Sequence, residues 1–141
     1  MTRARRTRIL VDGHEGLRAR LAAAVTAAAD VHEVSAPTEG LVMLTTRDTA
    51  RGVLFHLGEL LVTEARARIG TVVGTGLAAG SCPEKAWQLA VIDAAYRASL
   101  PITGGWDTDL RAEERRLQVE RSREEAGIAA TRVSFETMDL T

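Results

Sequence analysis

The residues in this chain that could do chemistry are a glycine run, three histidines and a single cysteine. The run TVVGTGLAAG, residues 71–80, spaces Gly74-x-Gly76-x-x-x-Gly80 after two valines, close to the pattern of a dinucleotide-binding loop. That loop requires a strand before it, a helix starting inside it, and a further parallel strand with an acid about twenty residues on. Here the helix signals begin only at Ser81-Cys82-Pro83, and Asp93 falls inside the helix that follows. The glycines therefore read as part of a strand that another backbone or a bound group approaches closely. No Gly-Lys-Ser/Thr follows them, so a Walker-type phosphate cradle is also excluded.

His14, His32 and His56 are scattered, and none has a partner at metal-ligand spacing. His14 falls at a helix cap and His32 beside an edge. His56, next to Phe55 on a strand, is the histidine to test first. Cys82 stands at a helix N-terminus, where a thiolate is favoured, but no general base is recognisable near it in the sequence. The residues alone thus nominate no catalytic, cofactor-binding or metal-ligating group. With one cysteine there is no internal disulfide, which fits a reducing compartment.

The elements that position these residues centre on residues 53–98. A short strand leads to a tight turn at Gly58-Glu59 and then to a longer strand. In the longer strand Thr63, Ala65, Ala67 and Ile69 share one face, while Val62, Glu64, Arg66 and Arg68 share the other. That period of two marks a strand with one face in the core. After the glycine run, Ser81 offers an N-cap, with Pro83 and Glu84 in the first turn. Trp87, Ala90, Val91, Ala94, Ala95 and Ala98 then form one broad helical face, and Leu89, Ile92 and Tyr96 a second stripe. A helix with two apolar stripes must be covered on both, by another helix of the chain or by a second subunit.

Upstream, the basic opening MTRARRTR reads as a solvated tail over residues 1–8, without an export signal. Asp12-Gly-His-Glu15 has capping-box spacing and predicts a helix from Gly13 to Ala29. Strands are predicted at 31–34 and 41–46, separated by a turn at 37–40, with a polar loop at 45–51 closed by Gly52. Downstream, eleven of the eighteen residues from Asp109 to Ala126 are charged, six acidic and five arginine, which predicts a helix ended by Gly127 that is either a solvated surface helix or an arm that docks on a partner. Residues 131–138 alternate Val133, Phe135 and Thr137 against Arg132, Ser134 and Glu136, the pattern of a last strand.

The 141 residues suffice for one domain, and 18 Lys plus Arg against 19 Asp plus Glu give no reason to expect a nucleic-acid or membrane partner. Only 4% of residues are aromatic, so small side chains must pack closely in the core. The expected fold is α+β: a single domain, mainly an antiparallel sheet packed with about three helices. A cytoplasmic location is expected.

Several of these segments, taken in order, resemble the G subunit of the phosphonate carbon–phosphorus lyase complex. They are Phe55-x-Leu-Gly-Glu59-x-Leu-Val-Thr63-Glu-Ala65, Pro83-Glu-Lys-Ala86 and Ala90-Val-Ile-Asp93-Ala. Thr38-Glu-Gly-Leu-Val42 and Thr131-Arg-Val133-x-Phe135-x-Thr137-Met138 complete the likeness. It spans about Val34 to Met138. It departs at Ala79-Gly80-Ser81-Cys82, where the family has a charged turn, and at the closing Asp139-Leu140-Thr141. The resemblance implies a core complex with H, I and J subunits, the I subunit being the direct partner. The I subunit, together with G, H and L, exchanges the adenine of ATP for an alkylphosphonate; ATP and alkylphosphonate are substrates of the assembly, and this chain holds no cofactor. The interface is expected at Phe55, Gly58, Glu59, Thr63 and Glu64, at Leu89, Ile92 and Tyr96, and at Arg132, Phe135, Thr137 and Met138. The alternative is a divergent binding or oligomerisation module that has left the complex.

Overall fold

The computed structural model describes residues 1–130, the side chains of 129 and 130 excepted. The basic opening is not a loose tail. It forms helix α1, Arg3–Asp12, capped by the Thr2 hydroxyl, which accepts the Arg5 N–H at 3.3 Å. Ile9 and Leu10 bury themselves, and Arg6 goes in with them, because the arginine meets an acid and an aromatic ring inside. Since α1 takes in Asp12, that residue does not cap the next helix. His14 does so: its Nδ1 accepts the Gly16 N–H at 3.1 Å at the start of α2, Glu15–Ala28.

Among the described residues the sheet has three antiparallel strands in the order β1-β2-β3: β1 Val31–Arg47, β2 Leu54–Ile69 and β3 Val72–Ala79. Two predicted turns are absent. At Pro37-Thr-Glu-Gly40 the chain stays in β1, and register shifts between Glu33 and Thr38 absorb the proline, as bulges do. Gly58, expected in a turn, continues β2 with φ 154°, at the shift opposite Leu44 and Thr45. Pairing with a full-length neighbour outweighs the local turn preference. The hairpin reverses at residues 48–53, where the Gly52 N–H donates to the Asp48 carbonyl and the Asp48 N–H to the Val53 carbonyl, both at 2.9 Å.

Helix α3, Pro83–Arg97, lies across β2 and β3 with its alanines against the glycine strand. A Cβ on Gly74 would stand 2.6 Å from the Ala94 Cα, and one on Gly76 would stand 2.5 Å from the Ala90 nitrogen. The close approach expected of these glycines is therefore that of the α3 backbone. Leu89 and Ile92 are also buried, so the second stripe of this helix is covered from within the chain. A 3₁₀ turn, Pro101–Trp106, leads into α4, Asp107–Ala130, which runs through Gly127 instead of stopping there. Leu110 anchors α4 to the core. The class is α+β, with four α-helices among the described residues where about three were expected. The predicted last strand, with Arg132, Phe135, Thr137 and Met138, lies outside the described residues.

Candidate functional site

β3 accompanies β2 only as far as the pair Val62↔Ala79. Beyond it β1 and β2 run on as a two-stranded arm. Directly opposed residues share a face, so the register puts Leu41 with Leu61 and Met43 with Glu59 on one side. Val42 with Leu60, Leu44 with Gly58, and Thr46 with Phe55 lie on the other. Both faces are apolar and both are open: Leu41 is 63% and Met43 57% exposed on the first, Leu44 40% and Phe55 46% on the second. A hairpin of this kind is at best marginally stable in water by itself, and contiguous exposed apolar surface marks an interaction site. Charge is concentrated near the tip, where Arg47 donates to the Gly52 carbonyl at 3.2 Å beside Asp48 and Arg51.

The arm is rooted in a small polar node. The Thr63 hydroxyl donates to the Gly80 carbonyl at 2.7 Å and accepts the Cys82 N–H at 3.0 Å. Glu39, opposite Thr63 in the ladder, accepts from the Ser81 hydroxyl. Ser81 is thus not the N-cap of α3. Cys82 holds that position without a side-chain cap bond, its Sγ 3.6 Å from the Ala79 carbonyl. Ser81 and Cys82 thus tie the arm to the first turn of the helix.

Of the residues expected at an interface, Phe55, Gly58 and Glu59 lie on the exposed arm. Glu64 sits at its base, ion-paired to Arg66 at 2.7 Å. Thr63 is 1% exposed, so it shapes the root and offers nothing to a partner. Leu89 and Ile92 are likewise out of reach. Tyr96 is half-buried, edge-on to Trp106 at 5.6 Å and beneath Arg6. The expected docking stripe on α3 is an internal surface, because α1 and the 3₁₀ turn occupy it.

One cluster was not foreseen. The Asp93 carboxylate takes a bidentate contact from Arg3, at 2.9 and 2.8 Å, and the Thr75 N–H at 3.2 Å. Arg6 lies 3.5 Å from it. Burial lowers the Arg6 pKa and raises that of Tyr96. The only sequence signal was a lone acid within the apolar run Ala90-Val-Ile-Asp93-Ala-Ala.

The histidines stay apart: His14 caps α2, His32 pairs with Asp30 at 3.0 Å, and His56 is on the arm. Among the described residues no group of three or more His, Cys, Asp and Glu could hold a metal ion, and no helix is long and apolar enough to cross a membrane. What the arrangement can do is present a stiffly rooted apolar ribbon to another macromolecule.

No curated protein matches the chain. A family model described as phosphonate metabolism protein PhnG matches residues 1–139. With nearly the whole length matched, the chain belongs to the PhnG family of phosphonate metabolism proteins.

Proposed function

We propose that this chain is a non-autonomous subunit of a carbon–phosphorus lyase core complex. In that role it supports transfer of an alkylphosphonate to the ribose C1 of ATP with release of adenine. The observation that carries this reading is the arm, apolar on both faces and, among the described residues, covered on neither. Covering each of its half-exposed large side chains would contribute roughly 1 kcal/mol before the costs of association. A flat surface could cover one face only, so the partner must enclose the ribbon. We assign that partner as the I subunit, with the H and J subunits completing the assembly in the cytoplasm. ATP and alkylphosphonate would bind the assembly, with the C1–N bond of the nucleoside broken as the phosphonate oxygen bonds to C1. This chain would contribute assembly and no reacting group.

Co-expression with the I, H and J subunits tests the reading. The chain should co-purify with the I subunit in a defined mass. Adenine release from ATP and methylphosphonate should need both that complex and the remaining subunits, and the chain alone should release none. Adenine release by the isolated chain, or failure to form the complex, would overturn it; the second outcome would favour a divergent binding module.

A further inference from the structure

We infer that the cavity between α1, β3 and α3 binds a small organic anion, one negative charge carried on a short apolar chain. The cavity measures about 550 Å³, within the range of small-molecule sites. Leu10 of α1 and Leu89 and Ile92 of α3 line it, and all three are buried, so its floor is apolar. Arg3, Arg6 and Asp93 are the charged residues of its wall. Two cations against one carboxylate leave one positive charge in excess.

Hydrogen bonds are unevenly shared in this trio. Asp93 is satisfied: both its oxygens hold Arg3, and it accepts the Thr75 N–H at 3.2 Å. Arg6 is not. It lies 3.5 Å from the same carboxylate and over the Tyr96 ring, and among the described residues its guanidinium donates no hydrogen bond. Its side chain is only 10% exposed, so water supplies few of the missing acceptors, and burial holds its pKa below the ordinary value. A buried guanidinium with unused donors calls for an acceptor. The cavity holds a second donor. The Thr75 N–H points away from β2 to reach Asp93, and alternation along an antiparallel strand turns the Leu77 N–H the same way. Leu77 lines the cavity as well.

These features select the ligand. A carboxylate or phosphonate head accepts from Arg6 and Leu77 and neutralises the excess charge. Its tail lies on Leu10, Leu89 and Ile92, where each buried methylene adds affinity. Inorganic phosphate has nothing to place on that floor. A nucleoside triphosphate brings several negative charges against one in excess, and a metal cation is repelled by the two arginines. The site goes beyond the assembly role proposed above and does not depend on it.

Titration of the chain alone with acetate, hexanoate, methylphosphonate, butylphosphonate and inorganic phosphate, followed by amide NMR, tests the site. The Thr75 and Leu77 amide resonances should shift saturably. Within a head group the longer chain should bind at least tenfold tighter than the shorter one, and at least tenfold tighter than inorganic phosphate. The head group that binds more tightly identifies the ligand as a carboxylate or a phosphonate. Ala4→Glu sets an acid at the mouth of the cavity, on an exposed first-turn position that suits one, and should weaken binding at least tenfold. Ser122→Glu makes the same charge change on exposed α4 and should leave binding unchanged. If Ala4→Glu perturbs the fold, Thr7→Glu at the same mouth replaces it. No saturable shift with any of these anions, equal affinity for short and long chains, phosphate binding as tight as theirs, or equal effects of the two variants overturns the assignment. The I subunit takes no part in the titration, so failure here and failure of the complex to form are separate results.

Discussion

The Arg6 guanidinium lies over the Tyr96 ring, its central carbon 3.7 Å from the ring centroid. On its flank, 3.5 Å away, is Asp93, which also holds Arg3 and the Thr75 N–H. This clasp fastens α1 to α3 and the edge of the sheet. Arg6→Ala should destabilise the fold by about 1–2 kcal/mol through loss of the cation–π contact. Asp93→Ala should cost more, about 3 kcal/mol, because it leaves the buried Arg6 charge without its acid. Urea unfolding monitored by circular dichroism measures both, and equal costs would show that Asp93 is not the centre of the clasp.

Gly76→Ala and Gly74→Ala each drive a methyl group into the α3 backbone. Overpacking at rigid backbone should cost about 2–3 kcal/mol in each case. Gly40→Ala meets nothing within 4 Å and should be neutral or slightly stabilising. Thermal unfolding of the three variants side by side gives the comparison, and a stable Gly76→Ala protein would refute the close packing.

Thr63→Val keeps the shape of the side chain and removes the hydroxyl. The Cys82 N–H then loses its acceptor and the Gly80 carbonyl its donor, at a cost of about 1–3 kcal/mol. Thr63→Ser should recover most of the loss. Because the node roots the arm, hydrogen exchange in residues 39–41 and 61–63 should rise with Thr63→Val.

Leu41→Lys combined with Leu57→Lys alters two of the most exposed side chains on the arm. Neither touches the core, so stability should change by no more than about 0.5 kcal/mol. Capture of the I subunit should nevertheless be lost. A variant that unfolds would show that the arm stabilises the body, and one that still binds fully would place the interface elsewhere.

Acid should loosen the packing around α4. Glu113 is held below its ordinary pKa of 4.5, first by the Arg116 guanidinium and also by the His14 N–H. Arg5 lowers Glu114 in the same way, and Arg111 lowers Asp107. A carboxyl with a depressed folded pKa contributes stability above its unfolded value and loses it as pH falls through the folded one. The urea midpoint should therefore hold from about pH 7 to pH 5 and decline below about 4.5. Glu113→Gln should lower the midpoint at neutral pH and flatten part of that decline.

The sequence by itself determined the local periodicities. The alternation of Thr63, Ala65, Ala67 and Ile69 required one buried sheet face, and all four are buried. The glycines at 74 and 76, followed by a helix face of alanines, required close backbone packing, and α3 supplies it. These patterns were legible because burial repeats with the geometry of one element. Pro37 and Gly58 locally favour turns, whereas pairing between strands of seventeen and sixteen residues carries both through as irregularities. The second stripe of α3 could have faced another subunit or another helix, and only the docking of α1 through Asp93 decided between them. The arm was decided in the same way. Nothing local to residues 41–61 says how far a third strand accompanies them; β3 has only eight residues, so among the described residues its ladder runs out while β1 and β2 continue with both faces open.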